Sequence, residues 1–142
     1  MDVSQKYLMQ QIMAASPAKR VAMLYERAIG LLKEAVAAIE AGDIERRWRA
    51  NSKASEVICH LWETLDMERG GEIAADLGRL YEFIVRRLTA VDVANDPQAA
   101  REVIRLLDPL RRSWHELAEA AAAQDGSSGS DQPVPTQITL SA

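Results

Sequence analysis

The sequence predicts an all-α protein, an antiparallel up-and-down four-helix bundle, and three observations support this prediction. Apolar residues recur at helical spacing in four separate stretches, each of roughly 20 residues or more. Short turn signals that contain Gly, Asp or Pro separate the stretches, and short connections place consecutive helices side by side. Aromatic residues make up only 5% of the chain while Ala and Leu are abundant, which favours helix over sheet.

The first helix is predicted to begin at Ser16-Pro17. A Ser hydroxyl at the N-cap accepts a hydrogen bond from a free backbone N–H, and Pro suits the first helical position, where no N–H is needed. Gly42 then stops the helix, and Asp43 caps the next one. Between these signals an apolar stripe runs at helical spacing: Val21, Leu24, Ala28, Leu31 and Ala35.

The second and third helices are predicted on either side of a glycine pair. The second helix covers about residues 44–65 and carries a heptad-like seam, which is polar in its middle at Asn51 and Ser55. Residues 69–71, Arg-Gly-Gly, are expected to interrupt the helical structure. The third helix is therefore expected over about residues 72–90.

The fourth helix follows residues 95–97, Asn-Asp-Pro, which repeat the pattern of a cap and a proline. It is expected to extend to about Ala123. Pro109 lies inside this helix. Because proline lacks an N–H and its ring clashes with the preceding turn, we expect a kink there.

The chain is expected to divide into three regions. Residues 1–15 carry apolar side chains ahead of the first helix, and we interpret them as a short N-terminal lid that docks on the bundle. Residues 16–123 form the bundle itself. Residues 124–142 are rich in Gly, Ser and Pro, which predicts a disordered C-terminal tail.

The three tryptophans, Trp48, Trp62 and Trp114, lie on apolar stripes. Burial in the core is the favoured interpretation for each of them. Tryptophan is also enriched among the residues that dominate binding energy at protein interfaces, so a role in partner binding stays open.

Charge and composition argue against several classes of protein. The formal net charge is −4, whereas a nucleic-acid binder normally has an excess of basic residues. Cys59 is the single cysteine and cannot form an internal disulfide, which fits a reducing compartment. Because no stretch resembles a signal peptide or approaches the ~18 apolar residues of a membrane span, we expect the protein in the cytoplasm.

The sequence offers few residues for catalysis or metal binding. His60 follows Glu56 by four residues and lies beside Cys59, but a metal site needs several converging ligands. The stretch HELAE resembles the zinc motif H-E-x-x-H until its last residue, Glu119. The chain has no nucleophile elbow, P-loop or dinucleotide fingerprint. We therefore predict no catalytic residue, no cofactor and no metal.

Several stretches, in chain order within residues 7–118, together resemble one known family. They are ASPAKRVAMLYERAIGLL, AIEAGDIERR, KASEVICHLWETLD, GEIAADLGRLYEFIVRRL and NDPQAAREVIRLLDPLRRSW. The family is FliS, the flagellin-specific export chaperones, and Tyr7 is similar to a tyrosine that this family has ahead of its Ser-Pro.

The resemblance implies a protein that binds a client and catalyses nothing. The client would be the C-terminal region of unassembled flagellin, held in hydrophobic grooves so that it does not polymerise prematurely. The complex would then deliver flagellin to the flagellar type III export gate. The resemblance also implies a cytoplasmic protein whose N-terminal segment covers part of the client surface. We expect a monomer or a weak homodimer.

Twelve residues are predicted to contact the client. They are Tyr7, Ile12, Met23, Leu24, Tyr25, Ile29, Ile58, Trp62, Leu65, Leu77, Tyr81 and Leu88. Two other classes stay open from the residues alone. One is a helical-bundle adaptor that binds a partner other than flagellin, and a more distant one is an enzyme with a cofactor in the bundle core.

Overall fold

A computed structural model describes residues 17–128, with side chains described as far as Gln124. It contains four helices joined by connections of three residues each. They are α1 (Pro17–Glu40), α2 (Ile44–Glu63), α3 (Met67–Val93) and α4 (Pro97–Ser128). Within this part of the chain, no helix combines the length and the apolar character that crossing a membrane requires.

The four helices form an antiparallel bundle, as predicted. α1 packs against α2 and α4, and α3 packs against the same two helices, so α1 and α3 occupy opposite corners. Three ion pairs join the end of one helix to the start of another: Arg47–Asp92, Arg87–Glu102 and Arg101–Glu40. The short connections and these pairs confirm the up-and-down arrangement.

Side-chain caps fix the starts of α2 and α3, which follow the first two connections between helices. The carboxylate of Asp43 accepts a hydrogen bond from the N–H of Arg46 at 3.1 Å, and Asp66 accepts one from Arg69 at 3.1 Å. Gly42 has a φ of 73°, a left-handed conformation that glycine adopts without steric cost. The predicted start of α2 at Ile44 is confirmed, and α1 is helical from Pro17, the first described residue. Ser16, the expected cap of α1, lies outside the described residues.

The start of α3 differs from the prediction. The helix begins at Met67, directly after its cap Asp66, and continues to Val93. Gly71, with φ of 53° and ψ of −127°, interrupts the helix at a single residue. The predicted interruption at the glycine pair is therefore confirmed, and the difference is the single helical turn ahead of it, which the cap at Asp66 begins.

The end of α4 also differs from the prediction. The helix extends to Ser128, so residues 124–128 are helical and do not belong to a disordered tail. The backbone stays helical through Pro109, whose side chain is exposed. The kink at Pro109 stays a prediction. The rest of the predicted tail, residues 129–142, and the predicted lid, residues 1–15, lie outside the described residues.

Both α1 and α3 bury large side chains, but α1 and the helices around it also bury many alanines, whereas α3 buries only Ala74. The buried alanines of α1, α2 and α4 are Ala18, Ala22, Ala28, Ala35, Ala38, Ala50, Ala54, Ala99, Ala100, Ala118 and Ala121. The large buried side chains of α3 are Tyr81, Ile84, Leu88 and Val91. Since the distance between helix axes depends on the side chains at the contact, α1 packs closely against its neighbours and α3 packs less closely.

A buried hydroxyl pair crosses the centre of the bundle. The hydroxyl groups of Tyr25 on α1 and Tyr81 on α3 form a hydrogen bond, and both side chains are buried. Burial raises the pKa of both tyrosines above the ordinary value of 10.0, because the charged phenolate is poorly solvated there. The pair links the two opposite corners of the bundle.

Candidate docking surface

The large apolar side chains that are exposed among the described residues all lie outside α1. Four are on α3, and the others are on α2 and α4: Met67, Ile73, Phe83, Val93, Ile44, Trp48, Trp62 and Leu117. Exposed apolar side chains that are grouped on one side of a protein indicate a site of interaction with another molecule. The candidate site therefore surrounds α3.

A groove runs between α2 and α3, with a volume of about 350 Å³. We call it the α2/α3 groove. It is lined by Asn51, Ser52, Ser55, Val85, Leu88, Thr89, Asp92 and Val93. The small side chains of Ser52, Ser55 and Thr89 leave the middle of this groove hollow.

A tryptophan lies towards each end of the α2/α3 groove. Trp48 and Trp62 are seven residues before and after Ser55, which places all three on the same side of α2. The indole Nε1 of Trp62 is 3.7 Å from the position that a Cβ would occupy on Gly78 of α3. This is an ordinary van der Waals distance, so the indole of Trp62 packs against α3 at Gly78. The two tryptophans thus lie on the same side of α2 as the groove, beyond the residues that line it.

The tryptophans correct one prediction of the sequence analysis. Trp114 is 4% exposed and lies in the core, as expected. Trp48 and Trp62 are 56% and 38% exposed, so their predicted burial was wrong. They occupy the edge of the apolar stripe on α2, on the side of the helix that borders the groove. That position places them at the surface, where a partner can cover them.

A polar network closes one end of the α2/α3 groove. Arg47, which is 8% exposed, donates from Nε to Asp92 at 3.1 Å and from Nη1 to the side-chain oxygen of Asn95 at 2.7 Å. The Nδ2 of Asn51 donates to Asp92 at 3.0 Å and to the carbonyl oxygen of Leu88 at 2.9 Å. Asn51, one of the two polar residues of the predicted seam, is therefore paired with α3 through Nδ2, while its buried Oδ1 has no hydrogen-bond partner among the described residues.

A second apolar surface borders the opposite side of α3. The Nε of Arg87 donates to Glu102 at 2.7 Å, and this pair sets the antiparallel register of α3 and α4. The register places Phe83 at the level of Leu106, and the surface continues along both helices. We call it the α3/α4 strip; it consists of Ile73, Leu80, Phe83, Leu106, Leu110 and Leu117.

The predicted partner residues occupy different places in the structure. Trp62 is exposed, and four are half-buried: Met23, Leu24, Leu65 and Leu77. Five are covered in the core: Tyr25, Ile29, Ile58, Tyr81 and Leu88. Tyr7 and Ile12 lie outside the described residues. Client contact stays a prediction for the whole set, but the five core side chains offer a partner little surface in this structure.

The sequence analysis missed several exposed residues that the structure brings to the surface around α3. They are Ile44, Trp48, Ile73, Phe83 and Val93. The equal spacing of Trp48 and Trp62 from Ser55 is a signal that could have grouped the two tryptophans on one edge of α2.

The described residues contain no group of three or more His, Cys, Asp or Glu side chains placed to hold a metal ion. His60 and Cys59 are exposed on α2. His115 is also exposed and lies 3.7 Å from Glu119, one helical turn away. These polar side chains are spread over the surface and do not converge on one point.

The fold and the surface around α3 define a class of protein, a four-helix bundle with large apolar side chains exposed around one of its helices. The family model for "Flagellar protein FliS" matches residues 1–121, and the chain belongs to this family. The resemblance found in the sequence is therefore confirmed.

Proteins from several bacteria are similar to this chain over most of its length. The flagellar secretion chaperone FliS of Salmonella typhimurium is 37% identical over 115 residues, which cover 80% of this chain and 85% of that protein. The protein of the same name from Vibrio cholerae is 37% identical over 107 residues, which cover 75% and 79%. That of Bacillus subtilis is 28% identical over 123 residues, which cover 87% and 91%.

Proposed function

We propose that this protein is a cytoplasmic chaperone that binds the C-terminal region of unassembled flagellin. In this proposal it prevents premature polymerisation and delivers flagellin to the flagellar type III export gate. Membership of the FliS family supports the proposal, and so do relatives that are named flagellar secretion chaperones. The observation that carries it is the α2/α3 groove, with Trp48 and Trp62 exposed at its ends.

The physical chemistry of the groove suits a client segment that folds as it binds. An amphipathic helix places its apolar side chains in a groove of this kind at intervals of three and four residues. Burial of apolar surface contributes about 25 cal/mol per Å². Ordering of the client offsets part of this gain, so large apolar anchors such as the two tryptophans are needed.

The protein acts by binding in this proposal, with no catalytic step, no cofactor and no nucleic-acid partner. We propose a monomer or a weak homodimer as the working form. An adaptor that binds another protein is the alternative, and it shares the same surface. The family favours flagellin, because the relatives carry a name that refers to flagellar secretion.

The proposal is tested by gel filtration of the purified protein with two forms of flagellin from the same organism. Full-length flagellin is expected to elute together with the chaperone, and flagellin without its C-terminal region is expected to elute separately. Equal binding of both forms would contradict a C-terminal binding site. Binding of neither form would favour the adaptor.

We also propose that residues 1–13 cover part of the client surface until flagellin displaces them. Deletion of these residues should then tighten binding, because a covered site lowers the apparent affinity by the fraction of time that it is covered. Calorimetry with a flagellin C-terminal peptide measures the change. An unchanged affinity and an unchanged association rate would contradict a covering role.

A further inference from the structure

We propose that residues 134–140 of this chain cover the α3/α4 strip in an extended conformation. The segment follows α4 in the sequence and reads VPTQITL. It lies outside the described residues, and three things support its placement: its own pattern, the geometry of the strip and the length of chain between them. The surface concerned is not the α2/α3 groove, and the occupant belongs to the protein itself.

The α3/α4 strip is a single row of apolar side chains that lie in pairs. The antiparallel register set by the ion pair between α3 and α4 places three pairs at matching levels: Phe83 with Leu106, Leu80 with Leu110, and Ile73 with Leu117. Counted along α4 from the first pair, they lie at about 0, 6 and 16 Å, at the helical rise of 1.5 Å per residue. Phe83 and Ile73 are 42% and 55% exposed, so the described residues leave the row open.

Residues 134–140 have the alternation of an extended segment with one apolar side. Side chains two residues apart point in the same direction in an extended chain, about 6.6 Å from one another. One side of the segment carries Val134, Thr136, Ile138 and Leu140. The other side carries Pro135, Gln137 and Thr139. Proline at positions 133 and 135 opposes a helix here, because it lacks the N–H that a helix interior needs.

The spacing along this segment matches the spacing along the strip. Measured back from Leu140, Ile138 and Val134 lie at about 7 and 20 Å in an extended chain. The second and third pairs of the strip lie at about 6 and 16 Å from the first pair. Thr136, the polar member of the apolar side, falls near the level of Ser113, which lies between those two pairs on α4. Apolar and polar positions therefore follow the same order on both surfaces.

The chain between α4 and the segment is long enough for this placement. α4 is helical to Ser128, about 16 Å beyond Leu117 along the helix axis. The chain has to turn back over this distance to bring Val134 to the level of Leu117. Six extended residues span about 20 Å, so the connection through residues 129–133 suffices. The segment then runs antiparallel to α4 and brings Leu140 to the first pair of the strip.

The chemistry of the segment favours it over other occupants of the strip. From Gln132 onward the chain has no charged side chain, so it can lie on an apolar surface without burying a charge. Because a short connection joins it to α4, its effective concentration at the strip is on the order of millimolar, and a weak contact is enough. A second copy would need more surface, since stable interfaces use about 20–30 residues on each side and the strip is a single row.

Disulfide formation between introduced cysteines tests this placement in the intact protein. Ser113→Cys and Thr136→Cys put thiols at facing positions without removing an apolar contact. The natural Cys59 is kept as an internal control, because it is exposed on α2 at about the level of Leu80. In a glutathione redox buffer, the 113–136 disulfide should form at least about tenfold faster than the 59–136 disulfide. Mass spectrometry of proteolytic peptides measures both rates.

Two charged substitutions test whether the apolar side of the segment makes the contact. Both are made in the variant that carries the introduced cysteines. Ile138→Asp places a charge against the strip and should slow the 113–136 disulfide by at least about tenfold. Thr139→Asp is the matched control, because it adds the same charge on the opposite side of the segment. It should slow the reaction by less than about twofold.

The remaining outcomes contradict the proposal. Equal rates for the 113–136 and 59–136 disulfides would mean that the segment does not prefer the strip, which is then open to a client. Equal slowing by Ile138→Asp and Thr139→Asp would mean that the apolar side makes no contact. A 113–136 disulfide that joins two chains, seen as a dimer on a non-reducing gel, would assign the strip to a second copy. No measurement uses flagellin, so each of these results leaves the proposed function standing.

Discussion

α1 and α3 occupy opposite corners of the bundle, and they differ in the side chains that they bury. The buried face of α1 is rich in alanine, and it meets further alanines of α2 and α4. Both helices bury large side chains, such as Tyr25 and Leu32 on α1 and Tyr81 and Leu88 on α3, but α3 buries a single alanine, Ala74. Four large apolar side chains are exposed on α3, and none is exposed on α1.

The difference shows how one bundle can combine a closed side with a receptive side. Alanines let the α1 backbone lie close to its neighbours. α3, with a single buried alanine, packs less closely against α2 and α4, and the α2/α3 groove and the α3/α4 strip lie along its two sides. A stable scaffold and a docking surface can therefore be placed on different helices of the same small domain.

The largest expected effect concerns binding at the α3 side. Trp62→Ala should weaken binding of the flagellin peptide by about 2 kcal/mol or more, roughly 30-fold in Kd, because exposed tryptophans at interfaces dominate binding energy. Leu117→Ala is the control, since both side chains are 38% exposed but Leu117 lies on α4, away from the groove. Binding is measured by calorimetry. If both variants lost the same affinity for the peptide, the groove would contribute no more to binding than the α3/α4 strip does.

The next effect concerns the close packing around α1. Ala54→Leu adds volume at a position of α2 that is 0% exposed, and it should lower the free energy of unfolding by about 1–3 kcal/mol. Ala37→Leu places the same side chain on the exposed face of α1 and should change the free energy of unfolding by less than about 0.5 kcal/mol. Urea unfolding measures both. A tolerated Ala54→Leu would show that the closed side has unused space.

A third prediction concerns the hydroxyl pair that links the two sides. The pKa of Tyr25 and of Tyr81 is raised in the folded protein, so the folded state keeps protons that the unfolded state loses above about pH 10. The stability is therefore fully present below that pH and falls above it, by up to about 1.4 kcal/mol per pH unit for Tyr25. The raised pKa of Tyr81 adds a loss in the same direction.

The measurement is urea unfolding between about pH 9 and pH 11, on either side of the ordinary pKa of tyrosine. The control is the double variant Tyr25→Phe/Tyr81→Phe, which cannot ionise at these positions and should lose stability less steeply. Equal slopes for the wild-type protein and the double variant would contradict the assignment of the alkaline loss to this pair.

The smallest expected effect tests the spacing at α3. Gly78→Ala adds a Cβ that would lie 3.7 Å from Leu65 and from the indole of Trp62, an ordinary van der Waals contact. Because alanine favours helix more than glycine does, this variant should gain about 0.5–1 kcal/mol of stability. Gly30→Ala on α1, where no atom lies within 4 Å, should gain the same amount. A loss for Gly78→Ala alone would mean that Trp62 sits too close for any Cβ.

The helix order and most helix starts were predictable from local signals. The Gly42 stop and the Asp43 cap act within one turn, so the sequence alone identified the start of α2. The start of α3 was harder, because a glycine pair reads as a break. The helix is interrupted at Gly71, as predicted, but the cap at Asp66 begins one helical turn ahead of that interruption.

The candidate surface was predicted less well than the fold. Helical periodicity identifies an apolar stripe, but it does not say which edge of the stripe a neighbouring helix leaves uncovered. Trp48 and Trp62 lie on such an edge, and only the three-dimensional structure shows that their side chains are exposed. Tyr25 and Tyr81 illustrate the reverse case. Both were predicted to contact a partner, but their hydroxyl groups form a hydrogen bond with each other inside the core.

The single cysteine offers a way to measure how often the α2/α3 groove is occupied. Cys59 is the only thiol in the chain, and its side chain is exposed on α2 between Ser55 and Trp62. The spacing of these residues places it beside the α2/α3 groove. A thiol reagent therefore labels the unmodified protein at one site, and the rate of labelling reports how often that flank is covered. The natural chain thus carries its own occupancy probe, which needs no engineered cysteine.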